Sequence, residues 1–266
     1  MSALTLPSDL PAKIVEAIGD ARVSAVRERG RGLVTYDLVV RDGWPLRVLK
    51  VAPAGDPFVA LAEVDRLDWI DRRLPCPKLL ASSPLSSGGH AVVLSLPAGT
   101  PALMPEHRVH PTRTVEYLAQ ALRFVHEVPI DACPFNMRVE LRMRSIRRRV
   151  NAGHYDTRTF NEPYNRYSSH RLLEILGEIE TAEDDLVFTH GSFGTDVALL
   201  DLTGVSGIVD WGRAGVADRY VDLAHAVRSV AATIGPELIP HFFQCYGLEH
   251  PNPRKLDFFA LLAEFE

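Results

Sequence analysis

Over the first fifty residues apolar and polar positions fall into short β-branched runs, VSAVRERG, LVTYDLVV and PLRVLKVA, separated by the glycine-containing breaks RGRG and RDGWP. Runs of this length between turn formers predict strands joined as antiparallel hairpins. After PAGDP the period changes. In FVALAEVDRLDWIDRR, Leu61, Val64, Leu67 and Ile70 recur at three-residue spacing with charges between them, which predicts an amphipathic helix. Prolines in LPCPKLLASSP end that pattern and strands become the expectation again, with HAVVLSL the strongest of them. PAGTPALMP then reads as a linker or hinge.

From Pro111 onward the pattern is mostly helical: TRTVEYLAQALRFVHEV, the basic VELRMRSIRRRV, HRLLEILGEIE, YVDLAHAVRSVAATI, ELIPHFFQCYG and KLDFFALLAEFE. Two stretches interrupt it. NAGHYDTRTFNEPYNRYSS has little period and many turn formers, and is expected to be a surface loop. LVFTHGS, VALLDL and VSGIVDWG return to strand character.

Composition narrows the function classes. The 266 residues carry 29 Lys+Arg against 34 Asp+Glu, a net charge of −5, which argues against nucleic-acid partners. No apolar run approaches the roughly 18 residues of a membrane span, and MSALTLPSDLPAK lacks the features of a signal peptide, so the expectation is a cytoplasmic protein without membrane partners. Cys76, Cys133 and Cys245 are far apart and lack CxxC or Cys/His ligand spacing, so they read as small buried hydrophobes. The basic RSIRRRV reads as a solvated helix face.

Three features have the residue types of phosphoryl transfer. Lys50 closes the apolar VLK run and Glu63 lies on the following helix; a carboxylate that fixes a strand lysine lets the ammonium hold nucleotide phosphates. A solvated edge lysine fits the same residues. The two glycines of RERGRGL could bring backbone N–H groups to phosphates, yet the segment is neither GxxxxGK[ST] nor a full GxGxxG, and a plain hairpin turn fits equally. Asp210 ends the apolar IVD run before WGR, a rigid position for a carboxylate ligand of a hard cation.

The run THGSFGTDVALLDLTGVSGIVDWGRAGVADRYVDLAHAVRS, residues 189–229, resembles the aminoglycoside phosphotransferases, in particular the 3′-phosphotransferase branch. The family signature is HGDxxxxN, a short hairpin, then IDxGRxGxADRxxDxA. Its second half stands here as VDWGRAGVADRYVDLA, and VLK, EVDRLDWI, LPCPKLL, VHEVPIDACPF and KLDFFALLAEF have counterparts in order. The resemblance implies an α+β, bilobal protein-kinase-like fold: a small β-rich nucleotide-binding lobe over 1–97, and a larger α-rich lobe over 98–266 with the catalytic loop and acceptor pocket. It implies ATP and Mg²⁺, and a small-molecule hydroxyl acceptor such as an aminoglycoside. Lys50 matches the phosphate-binding lysine, Glu63 its helix partner, Ser95 to Ala98 the adenine hinge and Asp210 the Mg²⁺ ligand. Arg213, Arg228 and Glu264 match positions near the acceptor pocket, and His190 a residue behind the catalytic loop.

The first half of the signature departs from the family. Ser192 replaces the aspartate that accepts the acceptor's proton, and Val197 replaces the asparagine ligand of Mg²⁺. Asp196, one residue earlier, could supply an oxygen after a small loop shift, although neighbouring side chains on an extended segment face opposite ways. The acceptor side is also less acidic than the family's: the 151–166 loop keeps Asp156 and Glu162 but gains Arg158, Ser229 and Ala263 stand where acids are usual, and Glu266 extends the tail. Asp218 and Asp222, on the helix after GRAGVA, read as structural, capping or pairing with Arg219 or Arg213. Two functions therefore stand. One is an ATP-dependent O-phosphotransferase of reduced activity acting on an aminoglycoside or other small acceptor. The other is a pseudokinase that binds nucleotide and acts as a binding or regulatory module.

Overall fold

Strand parity decides which side chains of the N-terminal sheet fill a core and which are left for chemistry. The computed structural model describes residues 5–28, 32–40, 46–56, 58–179 and 185–265. Gly30, the RDGWP break and Glu266 lie outside them. Five strands, β1 (Arg22–Glu28), β2 (Val34–Val39), β3 (Arg47–Ala52), β4 (Lys78–Pro84) and β5 (His90–Ser95), form an antiparallel sheet in the order β1-β2-β3-β5-β4. Leu38, Leu49, Ala91 and Val93 point to one face and pack with Ile14 and Ile18. Residues one position away, Asp37, Val48, Lys50 and Leu94, point to the other face and line a cleft.

Ile14 and Ile18 belong to a helix that periodicity did not single out, α1 (Ala12–Ile18). Pro11 precedes its first turn, and Gly19, at φ 60, ends it with a bond from its N–H to Val15 O. The next helix, α2 (Phe58–Ile70), buries Ala60, Glu63, Leu67 and Ile70, while Leu61 and Val64 are half-buried. The buried stripe is thus rotated from the one expected, and it includes a carboxylate.

Backbone proximity groups residues up to 104 with 196–213, and 105–195 with 214–265. A single cut at residue 97 would assign 196–213 to the second group. The reason for the return is a small sheet: β6 (Thr100–Pro101) pairs with β8 (Ala198–Leu200), which pairs with β9 (Val205–Ile208). PAGTPALMP, expected as linker, therefore contributes a strand.

The second unit is helical: α3 (Pro111–His126), α4 (Val139–Asn151), α5 (Ser169–Glu178), α6 (Tyr220–Thr233), α7 (Ile239–Tyr246) and α8 (Pro253–Ala263). Its two-stranded ladder joins β7 (Leu186–Thr189) to β10 (Gly215–Asp218). The expected surface loop around 151–168 holds two short 3-10 turns. On α4, Arg144, Arg147 and Arg148 are exposed, but Arg142 is buried and Arg149 lies over the Tyr155 ring at 4.5 Å, so the basic run is only partly a solvated face. Among the described residues no helix is long and apolar enough to cross a membrane.

Candidate nucleotide and catalytic site

In the first unit, β3 holds Lys50 with 6% of its side chain exposed, and two carboxylates meet it: its Nζ donates to Glu63 Oε2 at 2.5 Å and to Asp210 Oδ1 at 2.5 Å. Burial alone would lower the ammonium's pKa, but Asp210 and Glu63 outweigh it and hold the group above its ordinary value. Lys50 is therefore a fixed cation. Glu63 is itself held: its Oε1 accepts the backbone N–H of Trp211 at 3.2 Å.

That bond ties α2 to the segment after β9. Trp211 is fully buried and its indole Nε1 donates to Ile208 O at 2.7 Å, closing a tight turn around Asp210. Asp210 sits at φ 66, a left-handed conformation that aspartate adopts more readily than most residues. The cleft that Lys50, Glu63 and Asp210 share has a volume of about 190 Å³ and an apolar wall including Val48, Leu94, Leu96, Leu103 and Leu199. Asp196 lines the same cleft and is exposed, whereas Val197 is buried to 3% exposure. The one-residue offset turns the carboxylate toward the cleft and the valine into the core.

Of the hinge expected over Ser95 to Ala98, Leu96 lines the cleft; Ser95 and Ala98 do not. The Leu96 N–H donates to Leu46 O at 2.9 Å and the Ala98 carbonyl accepts from Ser206 Oγ. Gly32, the described glycine of the RERGRGL turn, has φ 73, and a Cβ there would meet Pro53 Cγ at 3.2 Å, so the turn itself accounts for the glycine.

In the second unit, β7 leads into His190, Gly191 and Ser192, and one carboxylate grips that loop. Asp222, in the first turn of α6 and fully buried, accepts the backbone N–H groups of His190 at 2.6 Å, Gly191 at 2.8 Å and Phe193 at 3.3 Å. His126 Nε2 lies 3.2 Å from the same carboxylate, and His126 Nδ1 bonds the Tyr246 hydroxyl at 2.6 Å. Burial opposes the charge on Asp222, but the hydrogen bond and charge of His126, with smaller contributions from His190, hold its carboxyl below the ordinary range. Asp222 is thus structural, as expected, though its partners are backbone donors and a histidine rather than an arginine. Asp218 caps as expected, accepting the Tyr220 N–H at 3.0 Å where α6 begins, and its other oxygen pairs with Lys255 Nζ at 2.7 Å rather than with an arginine. His190 is buried, with its ring edge-on to Phe193, while Ser192 is half-buried.

The residues of this unit expected on the acceptor side are engaged with one another or with neighbours. Glu264 accepts from Arg228 Nη1 at 2.5 Å and from the N–H and side-chain amide of Asn161 at 2.8 and 2.9 Å. Asp156 holds Arg158 through two bonds, at 2.8 and 2.7 Å, and Glu162 pairs with Arg166 at 3.1 Å. Ser229 bonds Thr195 Oγ1 at 2.8 Å. Arg213, the remaining expected acceptor residue, belongs to the first unit and ends the turn that follows Asp210.

A buried strand lysine held by a helix carboxylate, with an aspartate after a β-hairpin, is the arrangement expected of kinase-like enzymes. Residues 28–259 match the model of a phosphotransferase enzyme family. The chain belongs to that family. An aminoglycoside 3′-phosphotransferase from Streptomyces fradiae is 30% identical over 256 residues, covering 91% of this chain and 94% of that protein. One from Niallia circulans is 28% identical, covering 96% and 97%. Among solved structures, aminoglycoside-3′-phosphotransferase of type VIII matches with a TM-score of 0.78 at 28% identity, over 93% of this chain and 94% of its own. A phosphotransferase from Streptomyces rimosus in complex with ADP and streptomycin shares the fold, with a TM-score of 0.79 at 23% identity over 95% and 96%. This phosphotransferase therefore has the kinase-like α+β fold expected from its sequence.

Proposed function

We propose that this phosphotransferase moves the γ-phosphoryl group of ATP to a hydroxyl of an aminoglycoside, or of a related acceptor with fewer positive charges. The observation that carries this reading is the Lys50–Glu63–Asp210 cluster in a cleft that Asp196 also lines. In this reading Lys50 holds the α- and β-phosphates, Glu63 keeps it from following the nucleotide, and the apolar wall takes the adenine ring. Asp210 and Asp196 offer the hard oxygen donors that Mg²⁺ prefers, and they would hold it; when bound, it neutralises charge on the transferring phosphoryl group. Val197, buried and apolar, supplies no ligand.

Ser192 cannot accept the acceptor's proton at neutral pH as a carboxylate does. The loss of a general base costs about 10²–10⁴ in rate. Phosphoryl transfer depends mostly on positioning and electrostatics, so slow turnover survives that loss. The acceptor preference follows from charge: Asp156, Glu162 and Glu264 already have arginine partners, leaving less negative charge for a polycation.

The same two substitutions favour a second reading, a pseudokinase that binds nucleotide without turnover and serves as a binding or regulatory module. One experiment separates the two. The purified protein is incubated with MgATP and a panel of aminoglycosides, and product is sought by mass spectrometry, with Asp210→Asn as control. Phosphorylated product absent from the control supports the enzyme. MgATP binding without product on the panel favours the pseudokinase.

A further inference from the structure

Outside the phosphotransfer residues, three ligating side chains converge where α3 packs on α7. His241 and Cys245 lie one helical turn apart on α7 and so share a face, and Glu116 comes from α3. His241 Nε2 is 3.1 Å from Glu116 Oε1 and 3.6 Å from Cys245 Sγ, and the three atoms lie within 4.8 Å of one another. All three residues are half-buried, so the group is reachable from solvent. Neither phosphate binding nor the grip on the catalytic loop uses them.

We propose that Glu116, His241 and Cys245 bind a borderline-soft divalent cation of the zinc type, clamping α3 to α7. The spacing fits that chemistry. A tetrahedral ion with Zn–S of about 2.3 Å and Zn–N of about 2.0 Å separates sulfur from nitrogen by about 3.5 Å, and nitrogen from a carboxylate oxygen by about 3.3 Å. The observed 3.6 and 3.1 Å match within a few tenths of an ångström, and the sulfur and the carboxylate oxygen, within 4.8 Å of each other, have to approach to about 3.5 Å by rotation of the Glu116 side chain. A thiolate and an imidazole select zinc-like ions over Mg²⁺ or Ca²⁺, and water completes the fourth position on the solvent side. On binding, the Cys245 thiol loses its proton to solvent, and the ion takes the His241 Nε2 lone pair, the single hydrogen of the neutral ring passing through solvent to Nδ1. The clamp acts on the helix pair already joined by the His126–Tyr246 bond. The sequence does carry half of it, since His241 and Cys245 stand four residues apart in HFFQC and Cys245 is half-buried rather than the small buried hydrophobe expected; Glu116, 125 residues from His241, enters only through the packing of α3 on α7.

The test uses reduced, chelator-treated full-length protein without nucleotide. Cobalt(II) is titrated as a spectroscopic probe, and Zn²⁺ affinity is measured against a chromophoric chelator. The expected result is a near-ultraviolet thiolate-to-cobalt band that saturates at one equivalent and is displaced by Zn²⁺. Cys245→Ser should abolish the band, and Cys133→Ser should leave it. His241→Ala and Glu116→Gln should each weaken Zn²⁺ binding at least about tenfold. Glu116 is half-exposed, and circular dichroism checks that each variant is folded. A missing band, a band that persists in Cys245→Ser, or folded variants that bind Zn²⁺ like the parent would overturn the proposal.

Discussion

The Lys50 cleft of the first unit and the His190–Ser192 loop of the second are both held by buried partners, but they carry different amounts of chemistry. In the cleft, support and reactive group are both present: Glu63 is fixed by Trp211, and it fixes Lys50 beside Asp210. In the loop the support is complete, with three backbone N–H groups and His126 on Asp222, yet the loop presents a serine. A buried carboxylate that satisfies several donors cannot be lost without unpairing them, so the scaffold persists whatever stands at position 192. In the proposed function the side chain at position 192 faces the acceptor, and it is under no such constraint. In that function, loss of turnover and loss of fold are therefore separable.

The largest effect should come from restoring the absent group: Ser192→Asp is expected to raise kcat for aminoglycoside phosphorylation by about 10²–10⁴, read by steady-state product formation. Removing a charge on the cleft side should act in the opposite direction. Asp210→Asn is expected to lower the residual transfer by about 10²–10³, and unchanged turnover in that variant would break the contrast between the two regions.

Asp222→Asn tests the scaffold. It should cost about 2–4 kcal/mol in denaturant unfolding, because an amide cannot accept from three N–H groups and leaves buried donors unpaired. The same carboxylate predicts an acid limb to stability. Its folded-state pKa is depressed, so its contribution is complete above the unfolded value of about 3.9 and is lost as pH falls through the lower folded value. Urea titrations from pH 6 downward should show that limb in the parent and a shallower one in Asp222→Asn.

The smallest effect concerns the acceptor. Arg228→Ala removes the arginine charge from Glu264, whose oxygens keep their bonds to Asn161, and KM for a polycationic aminoglycoside should fall roughly fivefold, the worth of about 1 kcal/mol from a partly exposed ion pair. A rise in KM would place Arg228 on the acceptor itself.

Much of the cleft could be read from the chain. Strand-like VLK, the helix carrying Glu63 and the IVDWGR segment pointed to Lys50, Glu63 and Asp210, and those residues meet in space. The predicted helix ends three residues earlier than expected, and of its apolar face Leu67 and Ile70 are buried while Leu61 and Val64 give way to Ala60 and Glu63, because hydrophobic spacing cannot announce that a glutamate will be buried toward a lysine thirteen residues away. α1 is only seven residues long, too short for a periodic signal, and its two isoleucines gain meaning only against the sheet. β10 was hidden inside GVAD, four residues all buried on a short ladder and so without alternation. The loop's dependence on Asp222 joins residues 29 to 32 positions apart, which no local pattern encodes.

The central proposal, that the Lys50–Glu63–Asp210 cleft binds nucleotide while Ser192 leaves its loop without a general base, is tested most directly by steady-state kinetics of the parent and Ser192→Asp with MgATP varied at saturating acceptor. The account predicts the same KM for ATP in both and a kcat at least about 10² higher in the variant. Equal kcat values would contradict it.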